Sequence, residues 1–141
     1  MQKSPAQTAS SESIMPRPAK QKPPHAFVLD ALAPLRPEVR RMFSGFAVYL
    51  GDRIVCMLRE HAKSPDDNGV WLVLSDAVSP ADPGLRREFP SIRSINLLGG
   101  KIRHWLLIPS DGPDFEVEAL HACDLLLRHD PRLGRIPESR R

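Results

Sequence analysis

Two runs of strand-forming residues separated by a two-residue turn constrain the fold of this chain more than any other feature. Residues 46–50 (Phe-Ala-Val-Tyr-Leu) and 53–58 (Arg-Ile-Val-Cys-Met-Leu) contain the aromatic and β-branched side chains that favour strands. Gly51-Asp52 lies between them, and a link of this length containing glycine favours a tight turn. The sequence therefore predicts an antiparallel hairpin at this point.

Three further segments have the character of strands. Residues 70–74 are almost continuously apolar, which is typical of an inner strand covered on both faces. Residues 91–97 and 101–108 predict two more strands, joined by a turn around Gly99-Gly100. Together with the first hairpin, these segments give a sheet of five strands.

Three segments predict helices. In residues 25–41 the spacing of apolar side chains favours a short helix, which Pro34 and Pro37 must end or interrupt. Residues 82–89 begin with Asp-Pro, which suits the cap and first turn of a helix. Residues 114–128 have a broad apolar face, with acidic residues in the first turn and arginine in the last.

The predicted order of elements is α-β-β-β-α-β-β-α. The strands follow one another through short links instead of regular helical crossovers, and such links join antiparallel strands. We therefore predict an α+β fold in which helices pack against an antiparallel five-stranded sheet.

The composition changes near both ends of the chain. Residues 1–24 are rich in proline and serine and almost lack large apolar side chains, which predicts a disordered basic tail. Residues 25–128 form the predicted domain, and residues 129–141 form a basic extension. Leu133 and Ile136 give that extension two side chains that could dock on the domain.

Positive charge is concentrated at these ends. Residues 1–24 and 128–141 each carry a net charge of +3, whereas residues 25–127 carry −3. Basic tails can bind phosphates without reading sequence, although tails that only aid solubility fit the composition better because basic and aromatic residues are not interleaved. The candidate nucleic-acid contacts are Arg17, Lys20, Lys22, Arg132, Arg135, Arg140 and Arg141.

The sequence also bears on localisation and on thiol chemistry. No apolar run approaches the roughly 20 residues that a membrane helix needs, and residues 1–22 lack the apolar stretch of a signal peptide. We therefore expect a cytoplasmic protein that does not span a membrane. Cys56 and Cys123 lie in apolar segments, which is typical of reduced, buried thiols.

No pattern of residues predicts catalysis, a cofactor or a metal. His121 and Cys123 are two residues apart, a spacing that points side chains of a helix in different directions. His104 has no carboxylate or nucleophile at a recognised spacing, and Gly99-Gly100-Lys101 lacks the rest of a phosphate-binding loop. We expect no enzymatic activity and neither a cofactor nor a metal.

Residues 40–53 (Arg-Arg-Met-Phe-Ser-Gly-Phe-Ala-Val-Tyr-Leu-Gly-Asp-Arg) resemble the signature segment of the TfoX N-terminal-like family, in which basic-Met-Phe-Gly-Gly-aromatic leads into a strand. Weaker similarity at Trp71-Leu72 and at residues 105–109 extends the resemblance over residues 26–128. Ser44 stands where the family has the first glycine of the pair, and Val73 lies near a position where many members have lysine. The resemblance implies an α+β domain with the element order given above.

The residues that carry the signature are expected to be structural: Arg41, Met42, Phe43, Gly45, Phe46 and Tyr49. We expect Gly45 to let the chain bend from the first helix into the sheet, and Met42, Phe43 and Phe46 to anchor that bend in the core. Arg40 and Arg41 are interpreted as a solvated or ion-paired helix end, in preference to a contact for an anionic partner.

The function implied by the resemblance is regulatory. Members that gave the family its name are linked to the regulation of natural competence, and many others are single domains of unknown role. We therefore expect a non-catalytic interaction or regulatory domain that binds a protein partner through a sheet face or an exposed edge. Weak sequence-independent association with nucleic acid through the basic tails is the alternative.

Overall fold

A computed structural model describes residues 22–100 and 103–137. Within these residues it has three α-helices and six strands, with short 3-10 turns at Ala33–Leu35, Pro65–Asp67 and Leu97–Gly100. In chain order the elements are α1 (Ala26–Leu32), β1 (Glu38–Met42), β2 (Gly45–Leu50), β3 (Arg53–Arg59), β4 (Gly69–Val73), α2 (Pro83–Glu88), β5 (Arg93–Ser94), β6 (Trp105–Pro109) and α3 (Phe115–Leu127).

The strands form one antiparallel sheet in the order β1-β2-β3-β4-β6-β5. The predicted hairpin at Gly51-Asp52 is confirmed: Leu50 pairs with Arg53, and Gly51 has the positive φ of 65° that favours glycine. The predicted inner strand is also confirmed, since β4 lies between β3 and β6 and is buried along its length. The α+β class with an antiparallel sheet is therefore correct.

The prediction for residues 25–41 is wrong in its second half. The helix ends at Leu32, and the 3-10 turn that contains Pro34 leads to Arg36, whose left-handed φ of 56° stops helical hydrogen bonding. After Pro37 the chain enters β1, which pairs with β2 along all five of its residues. Within the described residues the sheet therefore has six strands instead of five, and the order begins α-β-β-β-β.

The predicted pair of strands around Gly99-Gly100 is confirmed only in part: β5 and β6 pair antiparallel, but most of the first predicted strand is absent. Strand β5 has only two residues, and a 3-10 turn takes the place of the rest of the predicted strand. The physical reason is Asp67, whose carboxylate accepts hydrogen bonds from the backbone N–H groups of Asn96 and Leu97 and so diverts the chain from the sheet. The next strand begins at Trp105; residues 101–102 lie outside the described residues.

The last two predicted helices are confirmed to within a residue at each end. Asp82 occupies the cap position of α2 and Pro83 its first turn, although the Asp82 side chain makes no capping hydrogen bond. Helix α3 begins with acidic residues and buries one side against the sheet. Leu120 of this helix is 43% exposed, so the predicted apolar face is not buried completely.

Both faces of the sheet are buried. On the helix face, Cys56 and Leu72 belong to a core cluster that includes residues of all three helices, such as Leu32 and Cys123. On the second face, strand residues pack with Ile95 and Leu97 from the segment that follows β5. The strand residues of the second face are Ala47, Tyr49, Ile54, Met57, Trp71, Val73, Trp105 and Leu107.

The chain after α3 docks on the domain as far as it is described. Leu133 is 3% exposed and forms a β-bridge with Leu74, and Arg135 forms another with Ile54. Ile136, the second predicted docking residue, is 40% exposed. The predicted tail at residues 1–21 and the end of the extension at residues 138–141 lie outside the described residues.

Candidate protein-interaction surface

Strand β1 forms one edge of the sheet and pairs, within the described residues, only with β2. Met42 and Gly45 close the two-residue turn between these strands, and opposite residues of an antiparallel pair alternate between hydrogen-bonded and non-bonded positions. This alternation directs the backbone N–H and C=O groups of Val39 and Arg41 away from β2. The outer side of β1 is therefore a row of backbone groups that another strand could pair with.

The turn that ends β1 holds an aromatic residue in an unfavourable conformation. Phe43 has a φ of 55°, whereas Ser44 does not have a positive φ, which is the pattern of a type II′ turn. Glycine is preferred at the first central position of such a turn because a side chain there is strained. Phe43 is nevertheless 52% exposed, and one edge of its ring meets Trp105 at a centroid distance of 6.1 Å. The expectation that Phe43 anchors the core is wrong.

Gly45 has a different role from the predicted one. It is the first residue of β2 and pairs with Met42, so it does not join a helix to the sheet. A Cβ atom at this position would lie 2.7 Å from the carbonyl oxygen of Leu58 and 2.8 Å from Cε of Met57. Glycine is required here because β3 passes too close for a side chain.

The two arginines of β1 lie along aromatic rings of β2. The guanidinium carbon of Arg40 is 4.8 Å from the centre of the Tyr49 ring, and Nη2 of Arg40 donates to Oε1 of Glu38 at 3.2 Å. The guanidinium carbon of Arg41 is 5.3 Å from the centre of the Phe46 ring. Both arginines are therefore strand residues and do not form a helix end. Cation–π contacts hold their side-chain stems against the sheet, and their charged guanidinium groups stay near the edge of the sheet.

The remaining signature residues are less exposed than Phe43. Tyr49 is buried on the second face of the sheet, with 8% of its surface exposed. Met42 is partly buried and packs against the same cluster, so its predicted anchoring role is confirmed in part. Phe46 is partly buried.

A buried arginine ties the β1–β2 turn to the next loop. Arg59, at the end of β3, is 2% exposed, and its Nε donates to Oγ of Ser44 at 3.3 Å. Its Nη1 donates to the carbonyl oxygen of Ser64 at 2.8 Å and to Oδ1 of Asn68 at 2.9 Å. These neutral acceptors satisfy the buried donors of Arg59. Because Arg59 bonds both to Ser44 and to the loop after β3, it fixes the position of Ser44 relative to that loop.

Sequence reasoning missed this arginine. Its signal was a charged residue at the end of an apolar run, but neither periodicity nor spacing indicates that Arg59 turns inward.

An open groove of about 440 Å³ lies beside Arg59 and includes the side chains of Arg41 and Phe46. The other lining residues are Lys22, Pro24, Ser44, Glu60 and His61.

The cysteines and histidines do not come together in one site. Burial raises the pKa of both the Cys56 and Cys123 thiols, the latter to about 11, so neither is activated as a nucleophile. His121 faces Glu88, at 3.0 Å, whereas Sγ of Cys123 faces the carbonyl oxygen of Val28. Within residues 22–100 and 103–137, no group of three or more His, Cys, Asp or Glu side chains is placed to hold a metal ion.

His104 lies in the turn before β6 and not within a strand, as the sequence had suggested. Partial burial lowers the pKa of its imidazole, and the nearby charge of Arg135 lowers it further. Both effects favour the neutral form of the imidazole, and the nearby charge of Asp76 opposes them in part.

The candidate nucleic-acid contacts comprise two paired arginines, one exposed lysine and four residues outside the described part of the chain. Arg132 forms ion pairs with Glu88 at 2.6 Å and with Asp130 at 2.9 Å. Arg135 donates to the carbonyl oxygen of Leu74 at 3.2 Å and pairs with Asp76 at 2.9 Å. Lys22 is exposed at the groove described above. The others, Arg17, Lys20, Arg140 and Arg141, lie outside the described residues.

Comparison of the chain with protein-family models, with curated proteins and with solved structures found no match. The described residues contain no helix that is both long and apolar enough to cross a membrane.

Proposed function

We propose that this protein is a non-catalytic interaction or regulatory domain of the TfoX N-terminal-like kind, and that it binds an extended segment of a protein partner along β1. The observation that carries the proposal is the free outer edge of β1, where the backbone groups of Val39 and Arg41 have no strand neighbour within the described residues. An added strand pairs with such an edge through main-chain hydrogen bonds, and side-chain contacts give specificity.

The side chains around this edge favour an acidic segment that carries an apolar residue. Arg41 and Lys22 border the groove beside the turn, and among the described residues that line the groove Glu60 is the one acidic residue. At the end of the strand, the exposed ring of Phe43 offers an apolar contact. Strain held at Phe43 supports a role in binding, because a strained exposed position persists where function requires it.

The family resemblance supports the same surface. The segment that resembles the TfoX N-terminal-like signature, residues 40–53, includes the second half of β1, the Phe43-Ser44 turn and all of β2. The proposal therefore assigns to the signature a binding edge in addition to its packing role.

A single proline substitution tests the proposal. The N–H of Val39 points away from β2, so Val39→Pro removes an outward donor while the hydrogen bonds between β1 and β2 remain. Val39→Thr is the matched control because it keeps the N–H and a β-branched side chain. Each variant and the wild-type chain are immobilised and exposed to an extract of the native host, and the bound proteins are quantified by mass spectrometry after nuclease treatment.

We expect a protein that the wild-type chain and Val39→Thr retain and that Val39→Pro loses at least about tenfold, which corresponds to roughly 1.4 kcal/mol. Circular dichroism and thermal unfolding show whether the proline variant keeps its fold. Retention of the same proteins by a folded Val39→Pro variant would refute binding along β1. Binding that depends on nucleic acid, falls steeply with salt and needs residues 1–24 and 129–141 would instead favour the nucleic-acid alternative.

A further inference from the structure

A cavity of about 520 Å³ lies at the end of the sheet opposite the Phe43-Ser44 turn. It is bounded by the end of β2, the start of β3, the turn after α1 and the end of α3, and the chain after α3 closes one side. The volume falls within the range of about 300–1,000 Å³ that small-molecule pockets occupy. None of its lining residues belongs to β1 or to the turn after it, so the cavity is separate from the proposed partner surface.

The wall of the cavity is mainly apolar. The aliphatic side chains come from five different places in the chain, and Pro131 adds a rigid ring. Leu126 and Leu133 are buried, whereas Leu35 and Leu50 are partly exposed at the mouth. The aliphatic lining residues are Leu35, Leu50, Val55, Leu126 and Leu133. Such a wall favours the apolar body of a ligand.

Three polar side chains of the described residues also line the cavity, and one of them is already engaged. Asp130 accepts hydrogen bonds from Nε and Nη2 of Arg132, at 3.0 and 2.9 Å, and from the backbone N–H of the same residue. Arg132 thereby lowers the pKa of the Asp130 carboxyl and offsets its negative charge. Asp130 therefore has little capacity left to bind a cationic ligand.

Arg53 and His129 are not engaged in this way. No hydrogen bond or ion pair joins the side chain of either residue to the described part of the chain. The stem of Arg53 lies over Gly134, where a Cβ atom would be 2.5 Å from Cδ of Arg53, so the absence of a side chain at residue 134 leaves room for the arginine. His129 has a left-handed φ of 59°, which turns the chain at the end of α3.

The carbonyl groups at the end of α3 do not oppose a negative ligand strongly. Their partial negative charge is reduced because the backbone N–H of His129 donates to Leu126 and that of Asp130 donates to Leu125, both at 3.0 Å. The free polar groups at the cavity are thus a guanidinium, which is always charged, and an imidazole.

From this combination we infer that the cavity binds a small amphipathic carboxylate, with its apolar body against the leucine wall and its carboxylate on Arg53. Arginine donates two parallel hydrogen bonds to a carboxylate, a geometry that a neutral hydroxyl or an amine cannot match. His129 supplies a further donor at the mouth.

Octanoate is the probe that tests the inference, with 1-octanol and octylammonium as ligands of the same body and different charge. Each is titrated into the isotopically labelled full-length protein, and binding is measured from changes in the backbone amide resonances. We expect octanoate to shift the resonances of residues 50, 55, 126 and 133 and to bind at least about tenfold more tightly than either control.

Two variants and one control separate the role of the charge from that of the cavity. Arg53→Gln removes the guanidinium and is expected to weaken octanoate binding about tenfold, whereas Arg87→Gln, at an exposed arginine that does not line the cavity, is expected to leave it unchanged. Leu50→Trp places a larger side chain at the mouth and is expected to abolish binding. Thermal unfolding of each variant verifies that it is folded.

The inference would be overturned by the absence of shifts around the cavity, by equal affinity for octanoate and octylammonium, or by unchanged octanoate binding by a folded Arg53→Gln variant. If 1-octanol binds as well as octanoate, the cavity selects apolar bodies only and the assigned role of Arg53 is wrong.

Discussion

The two faces of the sheet are buried by different means. On the helix face, three helices contribute large apolar side chains, and α1 and α3 also pack against each other. On the second face, the cover described is a single irregular segment that contributes Ile95 and Leu97. The helix face is therefore held by packing between helices and strands. The second face depends on the interactions that hold its covering loop in position.

A buried carboxylate fixes that loop. Asp67 is 4% exposed, and its two oxygens accept the backbone N–H groups of Asn96 and Leu97, each at 2.8 Å. Its own carbonyl oxygen accepts the indole N–H of Trp71 at 2.7 Å. Asp67 thus joins the strand side and the loop side of the second face, and hydrogen bonds to a charged acceptor are stronger than those between neutral groups.

The largest predicted effects come from equivalent truncations on the two faces. Leu72 and Leu107 are both completely buried, on the helix face and the second face respectively. We expect Leu72→Ala to lower the free energy of unfolding by about 3–5 kcal/mol and Leu107→Ala by about 2–3 kcal/mol, because a loop can close over a cavity more readily than packed helices can. Urea denaturation measures both values. A larger cost for Leu107→Ala would mean that the loop is as rigid as the helical layer.

Replacing the carboxylate tests the loop directly. Asp67→Asn keeps the shape of the side chain but removes its charge and leaves one oxygen in place of two acceptors. We expect a loss of about 1–3 kcal/mol in the free energy of unfolding. Hydrogen exchange at the amides of Asn96 and Leu97 should accelerate more than exchange in β4. Uniform acceleration across both faces would contradict a local role for Asp67.

The same difference explains what the sequence could predict. The β2–β3 hairpin, β4, α2 and α3 follow from local signals, namely the turn residues, a continuous apolar run and helix caps. The second face has no such signal, because the partners of Asp67 follow it only after β4, α2 and β5. An acidic residue in a polar loop does not reveal from sequence that its backbone partners come from a distant segment.

Strand β1 was missed for a related reason. The spacing of apolar residues before Pro34 is helical, and Val39 to Arg41 lack the alternation of apolar and polar residues that predicts a half-buried strand. An edge strand buries little surface, so its residues show little alternation between apolar and polar side chains. The exposure of Phe43 depends on the turn type, which neither the packing argument nor the resemblance specified.

Substitutions of Phe43 test whether the turn between β1 and β2 holds this residue in a strained conformation, at the border of the second face. Phe43→Gly and Phe43→Ala both remove the ring that meets Trp105, but only glycine also removes the strain of a positive φ. We expect the glycine variant to be more stable than the alanine variant by about 1 kcal/mol. This difference is the strain that glycine relieves minus the larger conformational entropy that glycine loses on folding. Thermal unfolding measures the difference. Equal stabilities would mean that the turn does not hold residue 43 in the left-handed region.

The smallest predicted effect concerns a polar contact on the helix side. Arg132 hydrogen-bonds to Glu88 of α2 and to Asp130, and it lowers the pKa of both carboxyl groups below their usual range. Because these folded-state pKa values lie below the unfolded ones, the contact stabilises the fold above the unfolded pKa values of about 4 and is lost as the pH falls through the folded values.

The three side chains are 16–32% exposed, so we expect this contribution to be below about 1 kcal/mol. Urea denaturation of the wild-type chain and of Arg132→Gln at pH 7 and pH 3 isolates it, since other carboxyl groups affect both proteins alike. The variant should lose less stability than the wild-type chain over this interval. An equal loss would show that the helix face is held by apolar packing alone, without help from this ion pair.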